Sequence, residues 1–154
     1  MTIIARVHSA TLRLLSLFAT NPGLVLRALG WRVALPVLKY LLPIGTLTRL
    51  MWAKPRGGEG RPPGRPDAVL NAWRSGGRLL VSPNCLERSL LLYRLLSREG
   101  ANPTVVFGVD RGTETVAGHA WVEIDGAVIH DTGTADYTRV ATFGINGQVA
   151  GTPS

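Results

Sequence analysis

SPNCLERSLLLYRLLSREG, residues 82–100, holds the single cysteine of the chain at the mouth of its best-marked helix. Asn84 has the side chain of an N-cap, and Glu87, three residues on, that of a capping-box partner. Leu86, Leu90, Leu92, Tyr93, Leu95 and Leu96 make the helix largely apolar, with Glu87, Arg94 and Arg98 on a narrower polar stripe. Gly100 is placed to stop the helix in the left-handed conformation, and Pro103 prevents its resumption. Cys85 therefore falls in the first turn. Unpaired backbone N–H groups and the positive end of the helix dipole stabilise an anion there, a thiolate included. The position suits a nucleophile, although a lone cysteine more often fills a core as a small hydrophobe.

A nucleophilic thiol needs a base, and the base an orienting group. Past Gly100 the period changes from helical to alternating. Residues 104–109 are β-branched and strand-like, residues 118–124 alternate, and residues 127–131 follow a tight Asp125-Gly126 turn. GHAWVEIDGAVIHD thus offers His119 entering one strand and Asp131 on the next. The loop length decides whether they meet. A two-residue loop pairs Glu123 with Val128 and puts Asp131 opposite Ala120, on the wrong face. A three-residue loop, with Gly126 as a left-handed bulge residue, pairs Glu123 with Ala127 and His119 with Asp131. The second register is expected. It turns the rival base His130 away and leaves Trp121 on the His119 face, either lining a substrate cleft or packing in the core. Arg88, one turn from Cys85, is a candidate for a substrate carboxylate or for a structural ion pair. The backbone N–H of Cys85 is the natural oxyanion donor.

The 154 residues fit one domain, 1–154, with 45% hydrophobic and 18% charged residues. One cysteine excludes an internal disulfide framework and a Cys-rich zinc site. The three histidines, His8, His119 and His130, could in principle bind metal, but no HExxH and no paired CxxC is present. The charge of +7 is uneven, net +10 over residues 1–80 and −3 over residues 81–154. No helix-turn-helix, RNP-like pattern or zinc finger accompanies it, so nucleic acid is not the expected partner.

Residues 1–53 form an N-terminal helical part, residues 54–66 a basic Gly/Pro loop, and residues 67–154 the catalytic part. Pro36 and Pro43 are expected to break the Leu-rich stretch after Leu24 into short helices that pack on the catalytic part. A short helix capped by Asp67 should end at Gly76-Gly77, and residues 140–143 can add a strand. The apolar run 12–19, broken by Arg13, is too short to span a bilayer, and a span through the next stretch would bury Lys39. No small-x-small cleavage site suggests a secretory signal. The expected location is cytoplasmic, with a peripheral contact on the inner membrane face compatible with the basic helices.

NCLERSLLLYRLLSREG, the Gly100…Pro103-Thr-Val-Val-Phe-Gly-Val run and HAWVEIDGAVIHD together resemble the transglutaminase-like peptidases of lasso-peptide biosynthesis, the peptidase component of the B protein. The similarity covers about residues 33–131. It implies an α+β, papain-like fold: N-terminal helices, a central helix carrying the cysteine, and a small antiparallel sheet carrying the histidine and aspartate. By that resemblance Cys85 is the nucleophile, His119 the general base and acid, and Asp131 the orienting carboxylate. The implied activity is cleavage of the leader from a ribosomally made precursor peptide, with no metal or organic cofactor implied, before a separate lactam synthetase closes the ring. Residues 1–80 lack the three-strand alternation of a leader-binding domain, so a separate leader-recognition protein is expected as partner. The alternatives are a transglutaminase-like amidase or peptidase with another substrate, and a non-enzymatic membrane-surface adaptor.

Overall fold

The computed structural model describes residues 22–55, 66–73, 84–110, 117–129 and 137–150. Among these, four α-helices precede a four-stranded antiparallel sheet, the α+β arrangement expected. The helices are α1 (Pro22–Leu41), α2 (Ile44–Met51), α3 (Pro66–Ala72) and α4 (Cys85–Arg98). The strands are β1 (Pro103–Asp110), β2 (Gly118–Ile124), β3 (Ala127–Ile129) and β4 (Tyr137–Phe143), followed by a 3-10 turn over Ile145–Gly147.

Helix α4 begins as its sequence dictates. Asn84 Oδ1 accepts a hydrogen bond from the Leu86 N–H at 3.0 Å, and Gly100 ends the last turn with φ of 86°. The other half of the expected capping box does not form. Glu87 is buried, and its Oε1 takes the Lys39 ammonium of α1 at 2.7 Å instead. A buried carboxylate gains more from a full counter-charge than from one backbone N–H. The same bond holds the Lys39 pKa above its usual value.

One helix, α1, runs through Pro36, where a break was expected. An interior proline costs about 3 kcal/mol, but contacts on both sides of it oppose that cost. Val25 and Leu35 lie in the core, and Lys39 is anchored to Glu87 beyond the proline. Pro43 does mark a boundary, as the residue preceding α2. Arg94 of α4 stacks its guanidinium 4.4 Å from the Trp31 ring and donates to the Leu50 carbonyl at 2.9 Å. The N-terminal helices therefore pack on the cysteine-bearing helix, as anticipated. Helix α3 starts one residue early, with Pro66 at its first position and Asp67 inside the first turn rather than capping it. The core of the Gly/Pro loop, residues 56–65, and Gly76-Gly77 lie outside the described residues.

The sheet order is β3-β2-β1-β4. Val105 and Val122, paired across β1 and β2, join Leu90, Leu92, Tyr93 and Leu96 of α4 in one core. Strand β4 starts at Tyr137, three residues before the stretch its sequence suggested, because it pairs along β1 through a register shift between Phe107 and Gly108. Tyr93, fully buried, locks helix to sheet edge: its hydroxyl donates to the Gly144 carbonyl and accepts from the Gly147 N–H at 3.2 Å.

Burial pushes the Tyr93 hydroxyl from its ordinary 10.0 up to about 12, the Gly147 N–H pulling the other way. A raised folded-state value means that stability is intact below about pH 10 and falls as pH climbs from there toward 12. Thermal melts across that window should show the loss. Tyr93→Phe should flatten the Tyr93 part of it, at a cost of about 0.5–1.5 kcal/mol for the lost hydrogen bonds, since the Gly147 N–H still donates to the Gly144 carbonyl at 3.0 Å. A melting temperature for the variant equal to that of the parent at neutral pH would contradict the bond's contribution.

Candidate active site

Helix α4 lies along β2 in a fixed register. The buried Ser89 hydroxyl donates to the Ala120 carbonyl at 2.7 Å. One turn on, Tyr93 reaches Gly144, beside the row in which Phe143, Val105 and Val122 pair. One helical turn advances roughly 6 Å and two strand residues about 6.6 Å, so helix and strand run the same way. Cys85, one turn before Ser89, therefore heads α4 at the Gly118–His119 end of β2. Its thiol is free and half-buried. Arg88 is half-buried on the same turn.

Strand alternation sends Ala120, Val122 and Ile124 toward the helices and His119, Trp121 and Glu123 to the other face. The His119 ring stacks on Trp121, centroids 6.0 Å apart and planes 24° apart, and on Tyr137 of β4 at 4.9 Å and 30°. The indole N–H of Trp121 donates to Glu123 Oε1 at 2.8 Å. Arg139 of β4 grips the same carboxylate with both nitrogens, Nη2 to Oε1 at 2.6 Å and Nη1 to Oε2 at 3.0 Å. Glu123 is buried, so this bidentate pair meets its need for a counter-charge. The imidazole thus rests on two rings, one of them fixed at its polar end.

Tyr137 and Arg139 reach β2 residues although β1 lies between the two strands. Gly108 makes this possible. It pairs with His119 on one side and Arg139 on the other. A Cβ there would sit 2.7 Å from the Trp121 ring and 2.9 Å from the Tyr137 Cβ. With no side chain at this point, aromatic and cationic groups close over the strand.

The hairpin does not have the expected register. Its loop is the two residues Asp125-Gly126, both with positive φ (51° and 80°), joining pairs Ile124–Ala127, Glu123–Val128 and Val122–Ile129. Asp-Gly suits the type I′ turn, whose twist matches that of the flanking strands, and this outweighs the three-residue bulge loop. Glu123 therefore pairs with Val128 and not with Ala127 as expected, so the register expected to set Asp131 opposite His119 is not the one formed. Asp131 and His130 themselves lie outside the described residues.

The structure brings His119, Trp121 and Tyr137 together and carries the head of α4 to the same end of β2. Sequence reasoning placed Trp121 beside His119 and missed Glu123, Arg139, Tyr137 and Gly108. Glu123 was in reach, since Trp-x-Glu on a strand puts both on one face. Arg139 was not, because its partner is two strands away. Among the described residues, no group of three or more His, Cys, Asp or Glu side chains is arranged to hold a metal ion.

A helix headed by a cysteine and tied along an antiparallel strand that a histidine enters is the arrangement of a transglutaminase-like domain. The family model of the transglutaminase-like superfamily matches residues 25–142, and the chain belongs to that superfamily. The matched segment runs from α1 into β4 and includes Cys85, His119 and Asp131. Neither a curated protein nor a solved structure matches the chain.

Gly108→Ala should displace Trp121 and Tyr137 and lower stability by about 1–3 kcal/mol. Arg139→Ala should cost about 2 kcal/mol by leaving Glu123 buried without its cation, the exposed side of the arginine reducing the effect. Thermal unfolding measures both. Melting temperatures unchanged from the parent would mean that the cluster over β1 is not formed.

Proposed function

We propose that this protein is a cysteine peptidase that removes the leader from a ribosomally synthesised lasso-peptide precursor before the macrolactam is closed. The observation that carries the peptidase reading is the Ser89–Ala120 bond, which sets the helix headed by Cys85 in register with the strand entered by His119. Membership of a superfamily that includes cysteine peptidases supports it. The particular substrate rests on the likeness of the Cys85 helix and the HAWVE hairpin to the lasso B-protein peptidases.

In this mechanism the Cys85 thiolate attacks the carbonyl carbon of the last leader residue, with the Cys85 backbone N–H donating to the developing oxyanion. His119, having taken the thiol proton, gives it to the departing amine as the peptide C–N bond breaks. Water, deprotonated by His119, then attacks the thioester, releasing the leader as a carboxylic acid and restoring the thiol. By the likeness to those peptidases alone, Asp131 is assigned to orient the imidazole, while Trp121 and Tyr137 hold its plane. Arg88 is the candidate for a carboxylate on the substrate. A separate leader-recognition protein delivers the precursor, and a lactam synthetase consumes the new amine.

The transglutaminase-like match fits an amidase or peptidase with another substrate equally well. Mass spectrometry of candidate precursor incubated with this protein, with and without a leader-binding partner, separates the two. Cys85→Ala should abolish leader release while leaving the melting curve in place. His119→Ala should slow release by about 10²–10⁴-fold, and Asp131→Asn should be milder than either. Leader release by the Cys85 variant at the parent rate would overturn the peptidase reading. A catalytically active protein that leaves every lasso precursor intact would overturn the substrate alone.

A further inference from the structure

Helix α1 is apolar on two sides. One side is already used: Ala28 and Leu35 lie in the core against the rest of the fold. On the other, Leu26, Leu29, Val33, Val37, Tyr40 and Leu41 face solvent, from 37% exposed at Leu29 to 83% at Tyr40. At 3.6 residues per turn these six fall within an arc of about 120°. No charged residue of α1 occupies that arc, and Arg27 and Arg32, both exposed, border it on its two sides. A continuous apolar stripe along a surface helix marks a docking surface.

The charge pattern selects the occupant. No Asp or Glu precedes Glu59, whereas eight Lys or Arg residues do. A second copy of the chain laid on this stripe would bring cation borders against cation borders with no nearby acid to offset them. An apolar stripe flanked by cations is instead complementary to a lipid surface with anionic headgroups: the stripe enters the acyl boundary and the guanidinium groups stay among the phosphates. Spanning is not the mode, since no helix among the described residues is long and apolar enough to cross a membrane. We infer that the exposed face of α1 is a membrane-surface anchor that seats this protein on an anionic bilayer, with the helix lying in the plane of the headgroups. The inference is independent of the peptidase reading.

Co-sedimentation of the full chain with vesicles tests it, using phosphatidylcholine mixed with phosphatidylglycerol against phosphatidylcholine alone. The protein should partition onto the mixed vesicles roughly tenfold or more better than onto the neutral ones. Binding should weaken as salt rises to about 1 M and the Debye length shrinks to about 3 Å. Val33→Glu with Val37→Glu should abolish binding, and Arg27→Gln with Arg32→Gln should reduce the preference for anionic lipid by about tenfold or more. Because these four positions are exposed, both double variants should melt close to the parent. Absence of partitioning, equal binding to neutral vesicles, or binding that survives the two glutamates would each overturn the inference. So would a large fall in the melting temperature of the glutamate variant, which would show the stripe to be covered within the fold.

Discussion

The hydrogen bond from Ser89 to the Ala120 carbonyl decides where along β2 the head of α4 falls. Leucine packing alone is nearly indifferent to sliding, because apolar contact has no direction. A buried hydroxyl facing one carbonyl is not indifferent, since a shift of one turn would leave both groups buried without a partner. Ser89 and Tyr93, one turn apart, pin the helix at two places, and the residue that opens it is thereby carried to the strand that begins with His119.

Counter-charge is supplied from a distance throughout this region. Glu87, two residues after the cysteine, is neutralised by Lys39 of α1, and Glu123, two residues after Trp121, by Arg139 of β4. Each buried carboxylate thus couples the Cys85–His119 region to an element outside it. The N-terminal helices are consequently more than packing material. They complete the electrostatics of the first turn of α4, while presenting an apolar face of their own to the surroundings.

Glycine at position 108 plays a comparable organising part on the sheet. Three strands contribute to the cluster around His119, and the middle one contributes by having no side chain. The stacking of Tyr137 on the imidazole and the grip of Arg139 on Glu123 both cross that point. Trp121 therefore meets the imidazole ring with its polar end fixed, so that the ring behind His119 belongs to a network extending across β1.

Much of this architecture could be read from residues that act locally. Asn84 and Gly100 bounded α4, the alternation of residues 118–124 marked β2, and Asp125-Gly126 marked the turn between β2 and β3. Pro36 misled, because its local cost was outweighed by core contacts and an ion pair formed with residues far along the chain. The hairpin register misled for a different reason. Two loop lengths were open to the same residues, and the conformational fit of Asp-Gly to a two-residue turn prevailed. Caps, glycines and apolar period act within a few residues, so the elements, their order and the chemistry at the head of one helix were legible along the chain. The partners of Glu87, Glu123, Ser89 and Gly108 were decided by the tertiary structure alone, because burial and counter-charge join residues that only folding brings within reach.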